Sequence, residues 1–398
     1  MNGTSDKTAL VQAAEDFLAA AKAFNGDDVM ARAGLMKHAD HLRLLVEDPF
    51  GTIMRQWDVI HLTAALNVLT SMGILQRVPR EGSIGSEELA SAVDIDESVV
   101  QRAMRIIVAQ GIALEPSPNH YVHNAKSLAY VTGSSQYFFK MVVDQDEALT
   151  SLPHYFATHS KQDLTDIEKT PYAFSKKMEG STYYQVISAD AERLEIFNHT
   201  LAHLEEQHPV LGMFPFSSMK AHVEAEPHRP FLVDVGGGIG RVLKSILQEA
   251  PNGFGAEVVL QDRAEVIDVV DRDGIPDVTL MVHDFFTPQP VKNAHLYLLR
   301  RILHDFYDPA CIDIVKNIAS AMGPTSRLLI GDCVVPEKAN MGDDFFVYWM
   351  DLTMMVIGGQ EKTAKQFTRI FDAAGLELVR IWPAAIGMQS MVEAKLKA

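Results

Sequence analysis

The chain has 398 residues and a formal net charge of −17, because 52 Asp and Glu outnumber 35 Lys and Arg. A surface this acidic repels nucleic-acid phosphates and anionic lipid head groups, so neither is an expected partner. Only 2 cysteines are present, which excludes a disulfide framework or a multi-cysteine metal cluster and is typical of a reducing compartment. We see no secretory signal and no stretch of ~20 apolar residues. These features predict a cytoplasmic protein with no metal site and no membrane span.

Residues 1–125 are predicted to form a mainly helical domain. Ser86 and Asp96 each precede acidic residues, a pattern that suits a helix N-cap and first turn. Residues 112–115 and 120–123 flank turn-forming residues and predict a hairpin of two short strands. Two capped helices followed by a hairpin indicate a winged helix-turn-helix. Its second helix, predicted at 99–110, offers only two Arg as cations, so a packing or dimerisation module is favoured over DNA binding.

An apolar stripe precedes this unit, where Val59, Leu62, Leu66 and Leu69 recur at helical spacing. The apolar stripes of the N-terminal helices exceed what a small wing can cover. We therefore expect these helices to pack across a two-fold axis and to form a homodimer.

Residues 126–224 are predicted to form a second helical region, rich in aromatic residues and methionine. Such side chains adapt to flat ligands, so the region is expected to line an apolar substrate pocket. The alternative is that these side chains are simply core.

Residues 225–398 alternate short buried strands with helices, which predicts a parallel sheet covered on both faces. The last two predicted strands are joined by a turn near Pro383 and Gly387, and we expect them to close the sheet as an antiparallel pair. The predicted strands are 230–235, 257–261, 278–282, 295–299, 327–331, 377–381 and 389–394.

A glycine-rich loop at 236–240 follows the first of these strands and opens a helix. Glycine tolerates positive φ and lets the backbone approach a ligand closely. The usual dinucleotide fingerprint would place a third glycine at position 241, which is Arg241 here. Asp234, just before the loop, repels a pyrophosphate but can hold a cationic amino-acid group. The loop therefore favours S-adenosylmethionine over a dinucleotide, with a plain tight turn as the alternative.

Acidic residues also follow the next two predicted strands. Asp262 lies 24 residues after Gly238, close to the offset of roughly 20 expected for an acid that binds ribose hydroxyls. Asp284 and Phe285 follow the third strand, where an acid and an aromatic ring can hold and cover an adenine. A helix N-cap for Asp262 and a strand-end turn at Asp284 are the alternatives.

The catalytic candidate is His304, which follows the fourth strand. Ligands of an open parallel sheet bind at the carboxyl ends of its strands, so this imidazole is expected near any ligand of the glycine loop. A neutral imidazole of pKa ~6.5 can take a proton from a phenol of pKa ~10 when attack on an electrophile removes the resulting charge. Asp332, predicted to end the fifth strand, and Glu361 are candidates for the carboxylate that fixes its tautomer. The alternative is a structural histidine.

Three motifs together carry a family resemblance: Leu-Val-Asp-Val-Gly-Gly-Gly-Ile-Gly at 232–240, Leu-His-Asp-Phe at 303–306 and Gly-Gly-Gln-Glu-Lys-Thr at 358–363. From about residue 45 onwards, the chain resembles the S-adenosylmethionine-dependent O-methyltransferases of plant and fungal secondary metabolism, of the caffeate and flavonoid type. The resemblance implies an α/β class I methyltransferase fold. Its parts are a Rossmann-like sheet with an antiparallel C-terminal strand pair and a mainly helical N-terminal winged-helix dimerisation domain.

The resemblance also implies roles for individual residues. His304 would be the general base, flanked by Asp332 and Glu361. Met354 would help to sandwich the acceptor, with Phe197 and Leu201 lining the same pocket. The residues assigned to the cofactor are Asp234, Gly236, Gly238, Asp262, Asp284, Phe285 and Arg300, the last in the place of a usual Lys.

The predicted reaction is an in-line displacement that passes methyl to a hydroxyl of a small aromatic or polyketide-like secondary metabolite. The sequence departs from the family at three places. Arg193 occupies the position of a frequent aromatic, Asp332 replaces a Glu, and the segment between Met355 and Gly358 is short and lacks a pocket Asn. No acceptor is therefore carried over from the family.

Two other functions remain open from the sequence alone. Some members of this fungal group bind the cofactor without transferring methyl and steer a dehydration or pericyclic ring closure instead. A winged-helix regulator with a ligand-sensing domain is the non-enzymatic alternative, and the acidic composition argues against it.

Overall fold

The computed structural model describes residues 3–26, 28–207, 210–384 and 389–398. It divides into two compact units, one made of residues 1–147 and 187–205 and the other of residues 148–186 and 206–398. Within the described ranges, no helix is long and apolar enough to cross a membrane.

Helices predominate up to about residue 225, and strands alternate with helices beyond it. In chain order, the helices are α1 (Gly3–Ala23), α2 (Val29–Val46), α3 (Pro49–Ser71), α4 (Ser86–Ser91), α5 (Glu97–Ala109), α6 (Ala125–Leu128), α7 (Ser135–Thr158), α8 (Pro171–Ser175), α9 (Tyr183–Ser188), α10 (Ala191–Gln207), α11 (Lys220–Ala225), α12 (Arg241–Glu249), α13 (Ala264–Ile267), α14 (Asp308–Ala319), α15 (Phe345–Ile357) and α16 (Ala364–Ala373). The strands are β1 (Ile84–Gly85), β2 (Ala113–Ser117), β3 (His120–His123), β4 (Leu232–Val235), β5 (Val258–Asp262), β6 (Val278–Val282), β7 (Leu296–Arg300), β8 (Arg327–Val335), β9 (Lys362–Thr363), β10 (Leu376–Pro383) and β11 (Gln389–Leu396).

The first unit contains the winged-helix arrangement that the sequence predicts. Strands β2 and β3 pair antiparallel as the expected hairpin, and β1 adds a third strand in the order β1-β3-β2. Helices α3, α4 and α5 enclose a core that includes Leu69, Met104 and Tyr121. Asp96 caps α5, because its carboxylate accepts from the amide of Ser98 at 2.9 Å.

The predicted N-cap at Ser86 is wrong. Gly85 occupies the cap position of α4 in an extended conformation, because it also pairs with His120 in the small sheet. Ser86 is the first residue of the helix, and its hydroxyl donates to Glu97 at 2.5 Å instead.

The second unit is built on one large sheet of the order β10-β11-β8-β7-β4-β5-β6, with β9 alongside β8. The five strands from β8 to β6 are parallel, and β11 and β10 are antiparallel to their neighbours. Apolar clusters cover both faces, with Leu298 and Ile246 in one and Tyr297 and Ile314 in the other. The expected parallel sheet and its antiparallel closing pair are confirmed. The predicted turn near Pro383 and Gly387 falls partly at 385–388, outside the described residues.

The predicted end of the fifth strand at Asp332 is wrong. β8 continues to Val335, because the two-residue strand β9 pairs in parallel with Val334 and Val335. Asp332 is therefore a buried residue inside the strand rather than its last residue.

Candidate active site

The glycine loop leaves β4 at the carboxyl end of the sheet. Gly236, Gly238 and Gly240 have φ values of 70°, 60° and 81°, a region that favours glycine. A Cβ at Gly236 would lie 2.7 Å from the Cδ1 of Ile302, and one at Gly237 would lie 2.4 Å from an Oδ of Asp234. A side chain at Gly236 or Gly237 would therefore displace its neighbours, whereas the position of a Cβ on Gly238 is open.

Asp262 ends β5 and contacts the loop directly. Its Oδ2 accepts from the amide of Gly238 at 2.8 Å, and its Oδ1 accepts from the amide of Arg263 at 2.8 Å. The cap position of the following helix belongs to Arg263, so Asp262 is not the helix N-cap that the sequence left open. Its carboxylate is instead oriented towards the glycine loop.

Asp284 and Phe285 follow β6 as predicted. Asp284 is exposed, and its Oδ1 accepts from the amide of Phe286 at 2.9 Å, so it also stabilises the turn at the strand end. The Phe285 ring lies 3.6 Å from the position of a Cβ on Gly236, beside the glycine loop. Both residues thus lie at the strand-end edge that carries the loop.

Arg300 ends β7 with its side chain buried across the sheet. Its aliphatic part packs on Gly331, where a Cβ would lie 2.9 Å from the Arg300 Cγ. Its guanidinium donates to Oε1 of Gln389 on β11 at 3.2 Å.

His304 lies in a single 3₁₀ turn, Leu303–Asp305, that follows β7. Its Nδ1 donates to Oε1 of Glu361 at 2.9 Å, because a carboxylate only accepts. Both side chains are buried. The structure therefore places two of the three catalytic candidates in direct contact. In the neutral ring, this contact keeps the proton on Nδ1 and leaves Nε2 as an acceptor.

A second carboxylate faces the other nitrogen of this imidazole. Oδ1 of Asp305 lies 3.5 Å from Nε2 of His304, and its Oδ2 accepts from the hydroxyl of Tyr184 at 2.7 Å. Tyr184 as a residue is 46% exposed. Desolvation of its hydroxyl beside the protein, together with the charge of Asp305, raises its pKa above the ordinary value. Neither residue was predicted from the sequence. Asp305 could have been found from its place beside His304, but no local signal connects Tyr184 to it.

Asp332 completes the acidic surroundings of His304. Burial raises the pKa of Asp332 to about 6, with the charge of His304 opposing the rise and that of Glu361 adding to it. Among the described residues, Oδ2 of Asp332 and Oε2 of Glu361 are buried without a hydrogen-bond partner. These carboxylates leave an excess of negative charge around the imidazole.

The pKa of His304 follows from this environment. Burial alone would lower it, but the carboxylates of Glu361, Asp305 and Asp332 outweigh burial and raise the pKa to about 9. The imidazole of the ligand-free protein is therefore largely protonated at neutral pH.

Residues 358–361 lie directly against His304. The amide of Gln360 donates to the carbonyl of His304 at 2.8 Å, and a Cβ on Gly359 would lie 2.2 Å from the same carbonyl oxygen. The amide of Glu361 donates to Oδ1 of Asp351 on α15 at 2.9 Å. The backbone of this segment is thus hydrogen-bonded to the His304 turn through Gln360 and to α15 through Glu361.

The three predicted acceptor residues fall in different units. Met354 is buried on α15 in the second unit, whereas Phe197 and Leu201 lie on α10 in the first. The pocket role of Phe197 and Leu201 stays a prediction.

Known proteins share this chain's sequence and fold. A family model described as an O-methyltransferase domain matches residues 161–377. The chain is 38% identical over 392 residues to O-methyltransferase hmp5 of Hypomyces subiculosus, with 98% of each chain covered. It is 31% identical to O-methyltransferase kntB of Aspergillus niger, over 84% of this chain and 81% of that relative.

Solved structures agree with this result. A crystal structure of OxaC in complex with SAH and oxaline has a TM-score of 0.81 and 26% identity, and covers 98% of this chain and 100% of OxaC. A structure of LepI in complex with SAM has a TM-score of 0.80 at 23% identity over 99% of this chain and 100% of LepI, a likeness of fold alone.

The Rossmann-like sheet and its glycine loop define a class I methyltransferase. The chain belongs to the O-methyltransferase family. The predicted S-adenosylmethionine-dependent O-methyltransferase activity is thereby confirmed.

Proposed function

We propose that this enzyme methylates a hydroxyl of a small secondary metabolite and that His304 is its general base. The observation that carries the proposal is the contact between Nδ1 of His304 and Glu361 at 2.9 Å, which leaves Nε2 to accept a proton. A carboxylate in this position orients the ring and stabilises the imidazolium that forms. Asp332 adds negative charge to the same stabilisation.

The residues around the glycine loop suit the cofactor. Asp234, Asp262 and Asp284 lie at or just beyond the carboxyl ends of three adjacent strands. Three acids suit a sulfonium compound that carries an ammonium group and ribose hydroxyls, and they disfavour a pyrophosphate. S-adenosylmethionine supplies an electrophilic methyl group when it is bound.

The individual cofactor roles are part of the proposal. The loop backbone at Gly236 and Gly238 would accommodate the methionine part, and Asp262 would accept hydrogen bonds from the ribose. Asp284 and Phe285 would contact the adenine. Asp234, buried within β4, and Arg300, buried at the end of the neighbouring β7, would complete the cofactor contacts.

His304 must be neutral before it accepts the proton of the acceptor hydroxyl. Its Nε2 lies 3.5 Å from Asp305 in the ligand-free protein, so the acceptor hydroxyl has to replace the carboxylate as the partner of this nitrogen. Because both His304 and Glu361 are buried, their charges interact more strongly than they would in water. The chain's contribution is therefore a preoriented base in a site with little water.

A small natural product is the acceptor that the relatives favour. OxaC was crystallised with oxaline and, in another structure, with sinefungin and meleagrin. Met354 supplies a polarizable apolar surface on α15 and is proposed to contact the acceptor.

We also propose a homodimer formed through the N-terminal helices. α3 exposes a series of large apolar side chains, and Ile53 and Trp57 are 64% and 59% exposed. Apolar surface of this extent is typical of a subunit interface. The cytoplasmic location and the division of the chain at residues 125 and 224 stay predictions.

The test of the activity is a product measurement. The purified enzyme is incubated with S-adenosylmethionine and a panel of hydroxylated fungal metabolites, and both S-adenosylhomocysteine and the O-methylated product are quantified by mass spectrometry. Equal amounts of the two products are expected. Conversion of a metabolite that needs the cofactor but forms no S-adenosylhomocysteine would contradict methyl transfer and identify the ring-closing alternative.

A further inference from the structure

Lys362 follows Glu361 and is fully buried. Its ammonium donates to three backbone carbonyls, those of Leu303 at 2.5 Å, Phe306 at 2.6 Å and Gln360 at 2.7 Å. An ammonium group has three donors, so these carbonyls use its full capacity.

The three carbonyls belong to the two chain segments that form the catalytic pair. Leu303 and Phe306 flank the turn that carries His304, and Gln360 precedes Glu361. The segments are 57 residues apart at the His304–Glu361 contact. One ammonium therefore connects the backbone of the base to the backbone of its carboxylate.

Neighbouring groups hold Lys362 in place. Pairing of β9 with β8 sets Lys362 opposite Val334. Thr363 caps α16, with the reciprocal contact supplied by Gln366. The thiol of Cys311 donates to the Leu303 carbonyl at 3.2 Å, beside the ammonium. The ammonium therefore has little freedom to follow a shift of either segment.

We propose that Lys362 is a positioning residue for methyl transfer, because its buried ammonium holds the His304 turn against the Glu361 segment and so sets the contact between the base and its carboxylate. The proposal rests on the proposed role of His304 as the base.

Burying an ammonium group in a protein interior costs free energy. Taking a charge out of water carries a large penalty, which its contacts in the protein have to offset. Lys362 also carries a fixed positive charge that favours the ionised form of Asp332. Both features indicate that Lys362 fixes the backbone geometry of this site and supplies a positive charge to it.

The test compares Lys362→Met with Lys362→Arg. Methionine keeps an unbranched apolar chain and removes the donors, whereas the guanidinium of arginine can reach the same carbonyls. We expect kcat of Lys362→Met to fall by about 10²-fold, because a small displacement of a catalytic group has effects of that size. The KM for S-adenosylmethionine should stay within about twofold, and Lys362→Arg should recover most of kcat.

The pH profile of activity distinguishes a positioning role of Lys362 from a purely structural one. Three carboxylates face His304, those of Asp305 in its own turn, Asp332 on β8 and Glu361 before β9. If Lys362→Met lets the Glu361 segment move away, the apparent pKa of the base falls towards its ordinary value. A purely structural role would lower the melting temperature and leave the profile of the folded enzyme unchanged.

The matched control is Arg229→Met. Arg229 is also a buried cation that donates to backbone carbonyls, those of Asn293 at 2.8 Å and Ala294 at 3.5 Å, but it precedes β4 at the opposite end of the strands. Its loss should reduce stability while kcat per folded molecule stays normal, measured well below the melting temperature of each variant.

The outcomes are distinct. Wild-type kcat and pH profile in Lys362→Met, with His304→Gln inactive, would overturn the positioning role alone. An active His304→Gln would overturn the proposed base as well. Should Lys362→Met fail to fold, Lys362→Gln serves in its place, because its amide removes the charge and keeps two N–H donors. A kcat between those of the wild type and His304→Gln, with a lowered apparent pKa, would then support the proposal, and an unchanged profile would overturn it.

Discussion

The backbone amide of Arg301 donates a hydrogen bond to Oδ1 of Asp332 at 3.0 Å. Arg301 has a φ of 56°, so Asp332 stabilises a left-handed residue at the start of the turn that carries His304. Asp332 thus acts on the base in two ways, through the backbone that leads to it and through its charge.

Two substitutions separate these effects. Asp332→Asn keeps an oxygen for the Arg301 amide and removes the charge, whereas Asp332→Ala removes both. We expect the free energy of unfolding of the Ala variant to be about 0.5–1.5 kcal/mol below that of the Asn variant, because the Arg301 amide loses one of its two acceptors and keeps the carbonyl of Gly331. Urea unfolding of the two proteins measures the difference, and equal stabilities would argue against the backbone contact.

Loss of the base should affect chemistry more than binding. His304→Gln and His304→Ala are expected to lower turnover by about 10²–10⁴-fold, the usual contribution of general-base catalysis. Binding of S-adenosylhomocysteine, measured by calorimetry, should persist in both. Undiminished turnover in either variant would remove His304 from the mechanism.

The pH dependence of the reaction follows from the raised pKa of His304. A base of pKa about 9 is protonated below that pH, so kcat/KM should rise about tenfold per pH unit through the neutral range and level off near pH 9. In Glu361→Gln, the loss of the neighbouring charge lowers the pKa of His304 and moves the inflection to lower pH. The profiles are measured at saturating S-adenosylmethionine, and coincident inflections in the two enzymes would count against the pairing.

Asp262 should matter for cofactor binding, directly and through its contact with the glycine loop. Asp262→Ala is expected to weaken binding of S-adenosylhomocysteine by about tenfold or more, since hydrogen bonds to a charged group are worth about 1.5–3 kcal/mol. Asp268→Ala is the matched control, because Asp268 is an exposed acid just after α13. Calorimetry on both variants tests the assignment, and wild-type affinity in Asp262→Ala would contradict the ribose role.

The proposed homodimer has a direct test on α3. Ile53→Glu places a charge in the exposed apolar face and should convert the dimer to a monomer, as measured by light scattering after gel filtration. Leu114→Glu, at an exposed position of the hairpin, is the control that should leave the dimer intact. A monomeric wild-type protein would refute the interface.

Some parts of this structure could be predicted because their signals are local. Buried apolar runs mark β4 to β7 to within about two residues, and the glycines and acids that follow them mark the ligand edge of the sheet. The end of β8 could not be predicted in this way. It depends on a two-residue partner strand at Lys362, whose pairing with Val334 has no signature in either segment.

The same limit on prediction applies to the residues around His304. Glu361 was predicted from a motif that carries a family resemblance, but Tyr184 lies 121 residues from Asp305 and nothing in its own sequence connects the two. The role of Lys362 was not predicted from the sequence, for a different reason. Lysine is almost always exposed, so its burial depends on carbonyls that only the folded chain brings together.

The close approach of Gly359 to the carbonyl of His304 has a consequence for protein engineering. Even an alanine there would have to push the catalytic turn aside, so libraries that aim at new acceptors should leave this residue untouched. Variation is better directed at α15, where Met354 is proposed to contact the acceptor and where Leu352 and Met355 are not packed into the interior. Acceptor preference can then change while the contact between His304 and Glu361 is kept.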